Sequence, residues 1–325
     1  MTFAFKLVAA ASGLAAFSGA APSRAAGIDW AGVSGKEIVL FYPGQSSWEW
    51  SLTRSAMSGA KEFTEGKNCD DCHIGEEKTM GPQIASGQPR VFKDGTKPAI
   101  EPVPIAGKRG YIPATVKFAN DGTNLYVHIE FAEGAQPDAK QDPLYDTKVT
   151  VMFNDGGVPE ANRGGCFAAC HDDSNGMPSA KGATRTMYLP RTRAKLTRQG
   201  GGDTLKPAEE LAKLRADGYV LDFWEARLNP GAAPVAVNGT MFDKREEAAP
   251  AVVTAEATLS DGVWAVTMSR KLDAGPGFKT FTGAGRYTVS VAIHAGHTAH
   301  RFHYVSFERT MRIDGGPADF VAVKK

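Results

Sequence analysis

The clearest order along this chain is a two-residue alternation. Between 123 and 132, Leu125, Val127, Ile129 and Phe131 share one face while Asn124, Tyr126, His128 and Glu130 share the other, the pattern of a half-buried strand. A preceding strand at 114–119 joins it through Asn120-Asp121-Gly122, a hairpin signal. Further strands are predicted at 148–153, 219–228, 252–259, 263–269, 287–294 and 301–311. One helix is predicted over 207–216, with Pro207 near its first turn and Gly218 just past its end. Seven or more strands joined by short turns predict an antiparallel β-sandwich, and the expected fold class is mainly β.

Upstream of 113 the pattern changes. Residues 52–63 read as a helix weakened by Gly59, and a second short helical turn is expected after His73. Between 87 and 113 the chain is rich in Pro, Gly and Lys, the composition of a linker or strap. The expected division is therefore a small, mostly helical unit at 26–95 and the sandwich at 96–325. Residues 1–25 form an expected signal peptide. Lys6 precedes the apolar runs 7–11 and 14–17, and Ser23-Arg24-Ala25 gives the small-x-small cleavage pattern. Ser12, Gly13 and Ser18 break the run and make it a poor anchor, and no later stretch approaches the ~20 apolar residues of a spanning helix. The expected mature protein is periplasmic, with no membrane span after cleavage.

Composition narrows the function classes. The 36 glycines and 19 prolines suit a turn-rich β protein. With 37 Lys+Arg against 36 Asp+Glu, there is no electrostatic case for nucleic acid or an acidic membrane as partner.

The four cysteines fall into two close pairs, each followed by histidine. Cys69-Asp-Asp-Cys72-His73 is the CxxCH pattern of covalent haem attachment. Two thiols at this spacing add to the two vinyl groups of one porphyrin, and the following histidine becomes proximal iron ligand. The competing uses are a redox dithiol, a zinc site and a disulfide. A redox dithiol would sit in a βαβ pattern, which is missing around Cys69, and zinc would need about four ligands. An exported protein permits a disulfide. The second pair, Cys166-Phe-Ala-Ala-Cys170-His171, has three intervening residues. Haem attachment is favoured here by His171 and by the first motif, with a short-loop disulfide as the alternative. The expected cofactor is thus two covalently attached haem c groups, held by Cys69, Cys72, Cys166 and Cys170 with His73 and His171 as ligands.

Several segments resemble the ethylbenzene-dehydrogenase-related haem-binding proteins, the haem subunits of type II DMSO-reductase-family enzymes. They are Lys148 to Asp155, Gly165-Cys-Phe-Ala-Ala-Cys170-His171-Asp-Asp, Gly176-Met177-Pro178, Ala292-Ile-His294-Ala-Gly-His297 and Arg301-Phe-His303-Tyr-Val-Ser306. Phe41-Tyr-Pro-Gly-Gln45 and Ser47-Trp-Glu-Trp50, upstream of CxxCH, are similar to two-haem members. The resemblance, over about 107–325, implies a periplasmic dihaem cytochrome c whose β-sandwich holds haem near one end. In the b-haem relatives a Met and a Lys ligate the iron; Met152 matches the methionine, and His303 stands where the lysine would be. A covalent His171 departs from that pattern, so the axial pair does not carry over whole.

Strand parity bears on the sixth ligand of the second haem. His303 shares a face with Val305 and Phe307, whereas Met152 lies opposite Val149, Val151 and Phe153. His303 is favoured, with Met152 next; His294, His297 and His300 read as hydrogen-bonded or surface histidines. For the first haem, Met57 ranks slightly ahead of Met80, and a thioether ligand at either would raise its potential. The expected function is electron transfer. By family analogy the partners are a membrane quinol-linked cytochrome or a periplasmic oxidoreductase. The alternative is a haem enzyme or sensor that binds a small molecule at an open second iron.

Overall fold

A computed structural model describes residues 27–44, 60–88, 95, 101, 103–171, 187–195 and 204–325. Its strands are β1 (Lys36–Phe41), β2 (Tyr111–Asn120), β3 (Asn124–Ala132), β4 (Thr147–Asn154), β5 (Cys170–His171), β6 (Met187–Tyr188), β7 (Leu221–Leu228), β8 (Val235–Met241), β9 (Arg245–Glu247), β10 (Thr254–Ser260), β11 (Val263–Lys271), β12 (Arg286–His294), β13 (Tyr304–Val305), β14 (Arg309–Ile313) and β15 (Phe320–Lys324). All but β5 and β6 join one 13-stranded, predominantly antiparallel sheet. The fold is mainly β and sandwich-like, as the alternation predicts.

The sheet folds onto itself. Ladders run from β2 through β1, β13, β12, β14 and β15 and back to β2, and two wings leave this circuit. One wing is β3-β11-β10 and the other β4-β7-β8-β9, with β11 packed over β7. Phe118, Phe153, Trp224, Phe281, Val291 and Phe320 meet in the apolar interior between the layers.

Burial patterns reveal a second apolar layer. β11 is buried on alternate residues, as a strand with one solvated face should be, whereas β4 and β7 are buried on both faces. Val149, Val151, Phe153, Trp224 and Ala226 enter the sandwich interior. Met152, Leu221 and Phe223 point the other way, into an outer cluster with Phe41, Val305 and Phe307. Segments that carry the cysteines cover this outer cluster.

Several elements differ from expectation. The strand expected over 301–311 is broken into β13 and β14 around 306–308. β1, β5, β6, β8, β9 and β15 are additional strands. β1 pairs along its whole length with β2 and through Phe41 with β13, so part of the expected N-terminal unit belongs to the main sheet. In β8, Gly239 stands where an added Cβ would lie 1.8 Å from the carbonyl oxygen of Glu246 on β9, a backbone approach that only glycine allows.

The described helices are short. Upstream they are Ala60–Thr64, Asp70–His73 and Glu77–Ala85, and downstream Ala161–Gly164 and Ala208–Ala216. Residues 52–59 of the expected first helix, Met57 among them, lie outside the described residues, as does the expected leader. The proline-rich segment before 113 contributes a buried group: Glu101 pairs with Arg301 and accepts from the Tyr42 hydroxyl. No helix among the described residues is long and apolar enough to cross a membrane.

Candidate functional site

The first cysteine motif is a single helical turn. The N–H groups of Cys72 and His73 donate to the Cys69 carbonyl at 3.3 and 3.0 Å. Cys69, Cys72 and His73 are therefore i, i+3 and i+4, the spacing that puts three side chains on one side of a turn. Both cysteines carry free thiols. Burial pushes the Cys69 thiol up, and the Glu308 and Asp70 carboxylates push it further in the same direction. The His73 ring is stacked with Phe307 at a centroid distance of 6.3 Å. Its Nδ1 lies 2.9 Å from Oε2 of Glu76. A carboxylate on Nδ1 fixes the tautomer and leaves Nε2 to ligate, the arrangement of metal-bound histidines.

The second motif has different local geometry. Helix Ala161–Gly164 ends at Gly165, whose φ of 56° is a left-handed value suited to glycine. A Cβ there would sit 3.0 Å from Cβ of Ser290 and 3.3 Å from the Glu308 nitrogen. The tight turn Gly165–Ala168 carries a buried Cys166 into the outer cluster, to which Met152 also belongs. Cys170 and His171 then run extended as β5, paired with Tyr188 and Met187 of β6. The extra residue of CxxxCH is thus taken up by a change from turn to strand.

The two motifs meet. The Cys69 N–H donates to the Arg163 carbonyl at 2.8 Å, three residues before Cys166. Arg163 Nη1 donates to the Phe63 carbonyl at 2.7 Å, and its guanidinium lies over the Phe63 ring. Phe63, Cys69 and Met80 all pack against the outer cluster that contains Cys166. Glu308 adds a polar link. It is buried, its Oε1 accepts the Asp70 N–H at 3.2 Å, and Arg309 holds Asp70 Oδ2 at 3.1 Å. Burial, then hydrogen bonding with Asp70, pushes the Glu308 carboxyl up to about 9.

The remaining candidates lie along the same outer face. Met152 pairs with Ser290, and Lys148 pairs with His294 four residues further along the strands, about 13 Å at ~3.3 Å per residue. The His303 ring stacks on His294 at 4.8 Å, so Met152 and the His294–His303 pair mark opposite ends of one strip. Parity places Met152 away from the sandwich interior, but that direction is also where Cys166 is buried. The sheet has two apolar sides, so a side chain that leaves the sandwich interior can still be buried. Burial and the neighbouring His303 and Lys148 hold His294 well below the ordinary histidine range. His297 Nδ1 donates to the Asp142 carbonyl at 2.9 Å. Glu76 and Glu308 are not among the residues the sequence singles out, and Phe307 enters there only as a strand-face neighbour of His303. Only Glu76 left a signal there, a carboxylate one helical turn after His73.

No family model matches the sequence. The chain is 31% identical over 325 residues to "Cytochrome c-552" of Stutzerimonas stutzeri, covering 98% of each chain. It is 27% identical over 297 residues to "Cytochrome c-551" of Rhodocyclus tenuis, covering 91% of this chain and 99% of the relative. A candidate carbohydrate-binding protein of Bacteroides uniformis shares 8% identity at a TM-score of 0.33, over 68% of this chain and 82% of that one, too loose a likeness to carry an argument.

Proposed function

This chain belongs to the cytochrome c family that includes cytochrome c-552, and we propose that it transfers electrons through two covalently attached haems, one at each cysteine motif. The observation that supports this most directly is the meeting of the motifs on one apolar cluster, with the Cys69 N–H bonded to the carbonyl of Arg163. Two redox groups held on such a cluster would be close and shielded from water. When bound, haem supplies one-electron iron chemistry whose potential depends on ligand, burial and hydrogen bonding.

The chain's own residues fit that group. Cys69 and Cys72 offer undisulfided thiols for thioether bonds, and His73 offers Nε2 as ligand while Glu76 occupies Nδ1. At the second motif, Cys166 and Cys170 would attach the porphyrin and His171 would ligate. Met152 and His303 remain the candidates for its sixth position, Met152 being the one packed in the cluster with Cys166. Met80, on helix Glu77–Ala85, packs against the same cluster and is a sixth-ligand candidate for the first haem; Met57 is the other.

In this reading residues 1–25 are a leader removed on export to the periplasm. Residues 26–95 carry the first haem and 96–325 the second, with β1 tying the first part into the sheet. Electrons would pass to and from other redox proteins, by resemblance a membrane quinol-linked cytochrome or a periplasmic oxidoreductase.

Intact mass and a pyridine haemochrome spectrum of the mature, periplasmically expressed protein test the cofactor count. Two covalent haems are expected; a single one would sink the assignment of Cys166, Cys170 and His171. Low-spin, six-coordinate iron at both sites is the expected electron-transfer signature, whereas a five-coordinate second iron would favour small-molecule chemistry. Glu76→Gln tests the proximal arrangement of the first haem. Losing the carboxylate on His73 Nδ1 makes the imidazole a weaker donor, so that haem's potential should rise by tens of millivolts. An unchanged potential in redox titration would remove Glu76 from this role.

A further inference from the structure

Glu308 is a buried carboxyl that electron transfer leaves without a task. It lies in the 306–308 break between β13 and β14. On one side its Oε1 accepts the N–H of Asp70, inside the first cysteine motif. On the other, its backbone nitrogen faces Gly165, the residue before Cys166. Its Oε2 is buried with no hydrogen-bond partner among the described residues.

The charged groups around it do not neutralise it. Arg309, on β14, binds the Asp70 carboxylate at 3.1 Å and the Glu308 carbonyl at 2.8 Å. Arg163, from helix Ala161–Gly164, is engaged with the carbonyl and ring of Phe63. Asp70, from the first motif, hydrogen-bonds the Glu308 side chain and repels its charged form. The Cys69 thiol is the fourth group, and as a thioether it would carry no charge. Among the described residues no salt bridge joins Glu308.

We propose that Glu308 is a redox-linked proton site: when the iron at the first motif goes from ferric to ferrous by accepting one electron from a donor protein, the Glu308 carboxylate takes up one proton from solvent, and oxidation releases both. The proposal rests on the reading that haem is attached at Cys69 and Cys72. Charge decides the coupling. The extra positive charge of ferric iron stabilises a nearby carboxylate, and its loss on reduction destabilises it. Asp70, part-exposed at 29% and hydrogen-bonded to Glu308, offers the way to solvent.

The ferrous form, whose iron and porphyrin core is neutral, should leave the carboxyl near the about 9 set by its protein surroundings. The ferric form should hold it roughly one to two units lower. Coupling is then strongest in that interval: the potential should fall by up to about 59 mV per pH unit, the one-electron equivalent of a tenfold change in proton concentration.

The test compares holoprotein of the natural sequence with Glu308→Gln and Glu308→Asp. Haem content is checked first by intact mass and pyridine haemochrome, and both haems are then titrated redox-potentiometrically at roughly pH 6 to 10. Glutamine mimics the protonated acid, so Glu308→Gln should lose most of the slope and stay near the low-pH potential. Glu308→Asp should keep a slope with a displaced midpoint. Reduction of the natural protein in weak buffer should take up protons near pH 8, and Glu308→Gln should take up measurably fewer. Absence of haem at the first motif would overturn the underlying electron-transfer assignment and the proposal with it. Full haem content with the same slope in Glu308→Gln would overturn the proposal alone.

Discussion

A variant with Cys69 and Cys72 both changed to serine is expected to lose one haem and retain the other. Its intact mass should fall by one haem relative to the natural protein, and its pyridine haemochrome absorbance should roughly halve. The backbone of this motif is held independently of its thiols: the Cys69 N–H bonds the Arg163 carbonyl, and Asp70 pairs with Arg309. The fold should therefore persist, and the second motif should still be loaded. Its stability should fall, because a bound group that favours the folded state is lost and part of the outer cluster gains exposure. Changing Cys166 and Cys170 to serine should give the complementary loss. If the Cys69/Cys72 variant kept both haems, covalent attachment at CxxCH would be refuted.

Asp222→Ala is expected to be the most destabilising substitution away from the cysteine motifs, at about 3–5 kcal/mol. Asp222 on β7 pairs with Arg270 on β11, joining the two facing layers, and both side chains are essentially fully buried. Arg270 also donates to the Lys279 carbonyl and lies over the rings of Trp224, Phe278 and Phe281. Removing the carboxylate leaves a fully buried guanidinium among aromatic rings without its counter-charge. Thermal unfolding should move down by roughly 10 °C, allowing ~2–4 °C per kcal/mol for a chain of this size. Replacing both partners by Leu and Met should recover most of the loss, because an apolar pair leaves no buried charge behind. If Asp222→Ala unfolds within a degree of the natural protein, the pair contributes far less than its burial implies.

Features written over short stretches of sequence were legible in it. The turn Asp70–His73 needs only the spacing of Cys69, Cys72 and His73, because one helical turn brings those positions together. β3 and β11 were recognisable because one face of each meets the interior and the other stays more polar. β1 was less legible: Ile38-Val-Leu-Phe41 is apolar throughout because Leu40 and Phe41 are buried on opposite sides of the sheet. β8 carries a glycine in mid-strand, Gly239, which is there for the close approach to β9 rather than for strand formation.

By itself, then, the sequence determined a mainly β protein with one CxxCH turn and one longer cysteine motif, since strand periodicity and motif spacing are local properties. Tertiary structure alone decided that the sheet has an apolar outer face and that both motifs converge on it. It also decided that Met152 and Cys166 belong to one outer cluster and that Glu308 is enclosed between the two segments. Those facts depend on which strands pair and which way each face turns. Residues more than two hundred positions apart, such as Asp70 and Glu308, become neighbours only after the sheet has closed.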